Sequence, residues 1–111
     1  MNPSNNTTFS PSSRAELQDV LTHTNGAPVM IAFVMNGCPA CIQLKGNLQH
    51  VNMPTILLDV DKFQSLASAN GVSRVPTYYI VRYVNGAIQS SAAPQSGGDP
   101  TQLAEYIAKH A

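Results

Sequence analysis

A single α/β domain, with a mixed β-sheet covered by helices on both faces, is the fold this sequence predicts. Three observations predict it. Apolar runs of strand length at residues 28–35 and 54–60 alternate with helix-patterned segments. Asn85-Gly86 joins two further strands, and Asp99-Pro100 opens a last helix. The 111 residues suffice for one modest core. Six Lys+Arg balance six Asp+Glu, so nothing could neutralise a row of phosphates, which argues against a nucleic-acid partner. Charged residues are only 11%, and 33 Ser, Thr, Asn and Gln take their place, giving a polar but weakly charged surface. No run approaches the ~18 apolar residues of a membrane span. Residues 1–8 have neither the basic nor the apolar region of a secretory signal, so the expected location is cytoplasmic.

Residues 1–12 are rich in Asn, Ser, Thr and Pro and read as a flexible polar tail, with 7–9 able to add a short edge strand. Asn6 begins an Asn-Thr-Thr sequon, read as part of that tail. The domain proper is expected over 13–111. From Ser13 the pattern is helical, with Leu17, Val20, Leu21 and Thr24 on one face and Asn25-Gly26 as the stop. Residues 28–35 are a buried central strand, and Asn36-Gly37 turns the chain. A second helix opens at Cys38 and runs to about His50, with Leu44, Leu48 and Val51 as its apolar face. Gly46 in its interior costs about 1 kcal/mol against Ala and invites a kink. After the strand at 54–60, Asp61 and Gln64 form a capping-box pattern for a short helix over 62–70, stopped by Gly71. Strands at 77–84 and 87–92 flank Asn85-Gly86 as an antiparallel hairpin. Residues 95–98 are a loop. Asp99 caps the last helix, which carries Leu103, Tyr106, Ile107 and His110 on one stripe.

Cys38-Pro39-Ala40-Cys41 follows a buried strand and opens a helix, and that context gives the spacing its meaning. A thiol at a helix N-terminus meets the positive end of the dipole and unpaired N–H groups, which stabilise its thiolate. Cys38 is therefore the expected nucleophile on a partner disulfide, and Cys41, one turn inside, the resolving thiol. Pro39 pre-sets the first turn and leaves no N–H unsatisfied. A structural disulfide is the plainer alternative. Its four-residue loop removes only about 2 kcal/mol of unfolded-state entropy. Nor does an inert disulfide suit a reducing compartment. A metal half-site lacks a second pair, since His23, His50 and His110 fall on helix faces. Dithiol chemistry outweighs both. Val75-Pro76 precedes a strand, where proline cannot donate to the ladder; a cis peptide there would present backbone atoms to a docked chain.

Taken together, these residues resemble the thioredoxin family over most of 13–111. The matching pieces are 29–34 before Cys38-x-x-Cys41, Leu58-Asp59-Val60-Asp61, Asn70-Gly71-Val72, Val75-Pro76-Thr77, Asn85-Gly86 and the final helix. The resemblance implies a thioredoxin fold, redox activity and a cis-proline at Pro76, with Gly46 where the family commonly places a kinking proline. It also shows departures. Gly37 stands where Trp usually precedes the first cysteine, and the chain has no Trp. The intervening dipeptide is Pro39-Ala40 in place of Gly-Pro. The family's relay Asp aligns with Ala32 and its Lys partner with Leu57, so resolution by Cys41 lacks an obvious base.

Cys-Pro-x-Cys also resembles glutaredoxins, in which Gly97, Gly98 and Asp99 would take the γ-glutamyl end of glutathione at the last helix's N-terminus. A flexible loop and an ordinary N-cap is the weightier reading of those three residues. The expected function is therefore a cytoplasmic, monomeric thiol–disulfide oxidoreductase needing no cofactor. Its partners would be protein disulfides, an unidentified reductase and, in the glutaredoxin alternative, glutathione. A partner chain would lie over Gly37, Pro39, Val75, Pro76 and the 96–98 loop, Gly97 included. A redox-inert binding module of the same fold is the competing class.

Overall fold

The computed structural model describes residues 7–111. Residues 1–6, half of the expected tail and with it the Asn6 sequon, lie outside the described residues. Among the described residues, six strands form one sheet: β1 (Thr8–Phe9), β2 (Val29–Val34), β3 (Thr55–Asp59), β4 (Thr77–Val84), β5 (Ala87–Ser91) and β6 (Gln95–Ser96). Four helices cover it: α1 (Arg14–Thr22), α2 (Pro39–Leu48), α3 (Gln64–Ala69) and α4 (Pro100–His110). The strand order is β1-β3-β2-β4-β5. β1, β3 and β2 run parallel, whereas β4 is antiparallel to β2 and to β5. The short edge strand foreseen near residue 8 is β1, with Thr8 opposite Thr55.

All six residues of β2 are buried, as a strand with helices over both faces requires. Alternation then sorts the side chains into two cores. Val29, Ile31, Phe33, Ile56, Leu58, Tyr79 and Val81 meet Leu17 and Leu21 of α1 and Ala67 of α3. On the other face Met30, Ala32, Tyr78 and Ile80 meet Leu44 and Leu48 of α2 and Leu103 and Tyr106 of α4. Each large aliphatic or aromatic side chain among them contributes about 1.5–3 kcal/mol on burial. The second core is the one that seats α2, and α2 carries Cys41 in its first turn with Cys38 as its cap.

Local chemistry sets most of the boundaries. Ser13 caps α1 by accepting the Glu16 N–H at 3.2 Å. Asn85 and Gly86 both adopt positive φ, 52° and 84°, the geometry of a type I′ turn, and close the β4–β5 hairpin. α2 runs unbroken through Gly46. A Cβ at Gly46 would meet nothing within 4 Å. Gly46→Ala should therefore stabilise the protein by about 1 kcal/mol, read as a rise in the urea unfolding midpoint at unchanged slope. A fall in that midpoint would mean that α2 needs the glycine.

Two expectations from sequence require correction. α3 starts at Gln64, and its N-cap is Phe63, which makes no side-chain cap bond. The Asp61–Gln64 capping box does not form. Lys62 and Phe63 instead both donate their N–H to the Asp59 carbonyl at 3.0 Å, a turn that drops the Phe63 ring into the first core. Burying that ring outweighs one cap bond. The second correction concerns 95–98, where Gln95 and Ser96 form β6 opposite Tyr78 and Thr77. β5 pairs only with the far end of β4, so β6 satisfies the near end.

The second core also holds a polar seam. Tyr106 donates its hydroxyl to the Ala93 carbonyl at 2.7 Å and accepts the Ile80 N–H at 3.3 Å. Gln95 Nε2 reaches both the Tyr78 hydroxyl and the Gln102 carbonyl. Burial raises the pKa of Tyr78 and Tyr106, and it pushes Tyr79, in the first core, from 10.0 up to about 12. A buried phenol binds its proton more tightly folded than unfolded. The stabilisation it gives is complete below pH 10 and lost as pH rises toward 12. Urea titrations should show stability falling through this window by roughly 2–3 kcal/mol for Tyr79 alone. Tyr79→Phe should flatten that decline, and an unchanged decline would place its cause elsewhere.

Candidate functional site

The site forms where β2 ends and α2 begins, beside the loop that leads into β4. Cys38 is the N-cap of α2, with extended backbone, and its Sγ accepts the Cys41 N–H at 3.1 Å. The cap role usually filled by a Ser or Asp oxygen falls to the cysteine sulfur. Pro39 follows at the first helical position. The spacing of Cys41, Leu44 and Leu48 then turns Cys41 onto the buried face. Cys41 is 0% exposed, whereas Cys38 is half-buried.

Across from the helix, the Val75–Pro76 peptide bond is cis. The Val75 carbonyl lies 3.9 Å from Cys38 Sγ, within reach of the thiol proton. Pro76 is buried, and its carbonyl accepts the Gly97 N–H at 3.0 Å, which brings the 96–98 loop against the Val75–Pro76 turn. Gly97 has φ +109°, a region that only glycine enters without strain. Gly37 is exposed immediately before Cys38. Cys38, Cys41, Val75, Pro76 and Gly97 thus lie in one chain of contacts, with Gly37 and Pro39 flanking Cys38.

Electrostatics separate the two sulfurs. The Cys41 thiol is pushed from 9.0 up to about 11, chiefly by burial and next by its side-chain hydrogen bond with Cys38. A backbone hydrogen bond with Met35 and the charge of Lys45 act the other way but do not prevail. The relay position named by the resemblance holds Ala32, which is fully buried between Leu57 on β3 and Tyr78 on β4. The large Tyr78 stands in register beside the small Ala32, and both belong to the same core.

The glutathione pose fits less well. Asp99 Oδ1 already accepts the N–H groups of Thr101 at 2.8 Å and Gln102 at 3.3 Å, so the N-terminus of α4 is capped from within. Gly98 is pressed against α2: a Cβ there would lie 2.6 Å from the Ala40 carbonyl oxygen. His23 Nδ1 is bonded to the Asp19 carbonyl, and the His110 ring packs on Tyr106. Among the described residues no three His, Cys, Asp or Glu come together as a metal site, and no helix is long and apolar enough to cross a membrane.

Sequence reasoning missed several neighbours of the site. Met35, 39% exposed, lines a cavity of about 400 Å³ with Val60, Val72, Arg74 and Val75. Ile42 stands 65% exposed just after Cys41. Thr77 Oγ1 donates to the Arg74 carbonyl at 2.7 Å and is hydrogen-bonded to Ser96 Oγ at 2.8 Å, pinning the Val75 loop to β6. Asn47 Nδ2 donates to the Gly98 carbonyl at 2.9 Å. Met35 carried a sequence signal as the apolar end of a buried run and Thr77 as part of Val75-Pro76-Thr77, whereas Ile42 and Asn47 carried none.

Solved structures of similar fold include thioredoxins. Thioredoxin NaTrxh from Nicotiana alata is 18% identical, covers 99% of this chain and 96% of its own, and superposes with a TM-score of 0.75. Deadhead, the germline-specific thioredoxin of Drosophila melanogaster, is 19% identical over 90% of this chain and 96% of its own, with a TM-score of 0.80. A point-mutant thioredoxin from Halobacterium salinarum is 25% identical over 99% of this chain and 96% of its own, with a TM-score of 0.69. This chain has the thioredoxin fold. The sequence itself matches no family model and no curated protein. The likeness therefore lies in the fold rather than in residue identity. Within that fold the cysteines occupy the strand–helix junction and the proline the facing turn.

Proposed function

We propose that this protein is a thiol–disulfide oxidoreductase acting on protein disulfides, with Cys38 as nucleophile and Cys41 as resolving thiol. The observation that carries this reading is the half-exposed Cys38 sulfur at the cap of α2, holding the Cys41 N–H and facing the Val75 carbonyl. In the first step the Cys38 thiolate attacks one sulfur of the partner disulfide. A Cys38–partner bond forms and the other partner thiolate leaves. Cys41, having lost its proton, then attacks Cys38 Sγ. The Cys38–Cys41 disulfide forms and the second partner thiolate departs, two electrons having passed to the substrate. A separate reductase resets the dithiol.

Gly37, Pro39, Val75, Pro76 and Gly97 would bed the partner chain around the target sulfur. The reading suits a monomer in a reducing cytosol. It is tested with reduced protein and insulin. Cleavage of the interchain disulfides that is lost in Cys38→Ser supports it, and no cleavage by the wild type overturns it. The dithiol reduction potential then sets the direction, since a value near the reducing end of the scale makes the protein a donor of electrons.

A further inference from the structure

The 96–98 loop is held to α2 by contacts that involve neither sulfur. Ala40, Gln43 and Asn47 follow one another at helical spacing and form a single stripe of α2. Gly98 lies on that stripe. A Cβ built on it would meet the Ala40 oxygen at 2.6 Å and Gln43 Oε1 at 3.1 Å, so the two backbones are in direct contact. At the lower end of the stripe Asn47 Nδ2 donates to the Gly98 carbonyl at 2.9 Å across 51 residues of sequence. From Gly98 the path continues through Gly97 N–H to the Pro76 carbonyl at 3.0 Å, and from Val75 back to Cys38 Sγ. The helix, the loop and the proline turn thereby close a circuit around the nucleophile.

We infer that Asn47 is a positioning residue whose side-chain amide fixes the Ser96–Gly98 wall of the groove in which Cys38 meets a partner chain. This rests on the oxidoreductase reading above and adds what sets the docking of its substrate. Asn47 lies nine residues after Cys38 and six after Cys41, about 13 and 9 Å along the helix axis, and its amide bonds Gly98 rather than either sulfur. Its influence reaches the reaction only through the loop. Removing the donor should loosen substrate docking and leave the reactivity of Cys38 unaltered.

The test pairs Asn47→Leu with Asn47→Asp, both close to Asn in size. In Asn47→Leu the KM for insulin should rise about three- to tenfold, the factor one such hydrogen bond is worth, with kcat and the iodoacetamide rate of Cys38 within about twofold of wild type. Exchange of the Gly97 amide, followed by NMR, should quicken by a similar factor. In Asn47→Asp the same exchange should be fast at pH 7. Relative to wild type it should recover near pH 4, where the protonated carboxyl regains a donor. Unchanged Gly97 exchange in both variants overturns the inference, as does an iodoacetamide rate that falls in step with insulin reduction. Should the wild type fail to reduce insulin, the oxidoreductase reading falls alone, because the amide exchange still decides the role of Asn47.

Discussion

Cys41→Ser is expected to accumulate a covalent complex with a disulfide substrate through Cys38, whereas Cys38→Ser captures none. The asymmetry follows from the surroundings of the two sulfurs. Cys38 is accessible and caps the helix, while Cys41 is sealed. With its thiol pushed up to about 11, roughly one Cys41 in ten thousand is a thiolate at pH 7. Burial is the first cause of that shift, and it persists once Cys38 is engaged in a mixed disulfide. No side chain on the adjoining strands at Ala32 or Leu57 can take the proton. Resolution in the wild type should therefore quicken about tenfold per pH unit through the neutral range, levelling only as pH nears the Cys41 value. Stopped-flow measurement of mixed-disulfide decay between about pH 6 and 9 checks this, and a flat profile would require a base that the surrounding side chains do not offer. Non-reducing gels of both serine variants with a disulfide peptide check the trapping. Equal capture by the two would remove the distinction between nucleophile and resolver.

The features of the site that sequence made legible are the local ones. Cys38, Pro39 and Cys41 lie within one helical turn, so their spacing and the preceding strand determine which sulfur caps the helix and which turns inward. The hairpin was legible for the same reason, because Asn85-Gly86 carries its backbone preference in its own two residues. What escaped depends on distant partners. The start of α3 is decided by where the Phe63 ring finds a core built from other elements, which no capping pattern can report. β6 exists because one end of β4 would otherwise go unpaired, although Gln95-Ser96 has no strand character of its own. The Asn47–Gly98 bond spans 51 residues, and Asn47 reads in sequence as one more polar residue on a helix.

The identity of residue 98 is expected to matter more than any other glycine in the chain, and three glycine-to-alanine changes separate the reasons. Gly46→Ala adds a methyl group to open space on a helix and should stabilise. Gly97→Ala also meets open space, but at φ +109° it forces an L-residue into a strained conformation, costing about 1–2 kcal/mol. Gly98→Ala brings a Cβ to 2.6 Å from the Ala40 oxygen, which belongs to helix backbone and cannot swing aside as a side chain could. Either α2 or the loop must move, and overpacking of this kind costs about 2–3 kcal/mol. The loop is the softer partner, held by the Asn47 amide and by Gly97, while α2 is anchored through Leu44 and Leu48. The displacement should therefore break the Gly97–Pro76 bond and open the wall beside Cys38. Gly98→Ala should lower the urea midpoint the most of the three and raise the KM for protein disulfides, leaving Cys38 alkylation near wild type. If Gly98→Ala unfolds no more readily than Gly97→Ala, the contact between this loop and α2 is looser than the 2.6 Å approach requires.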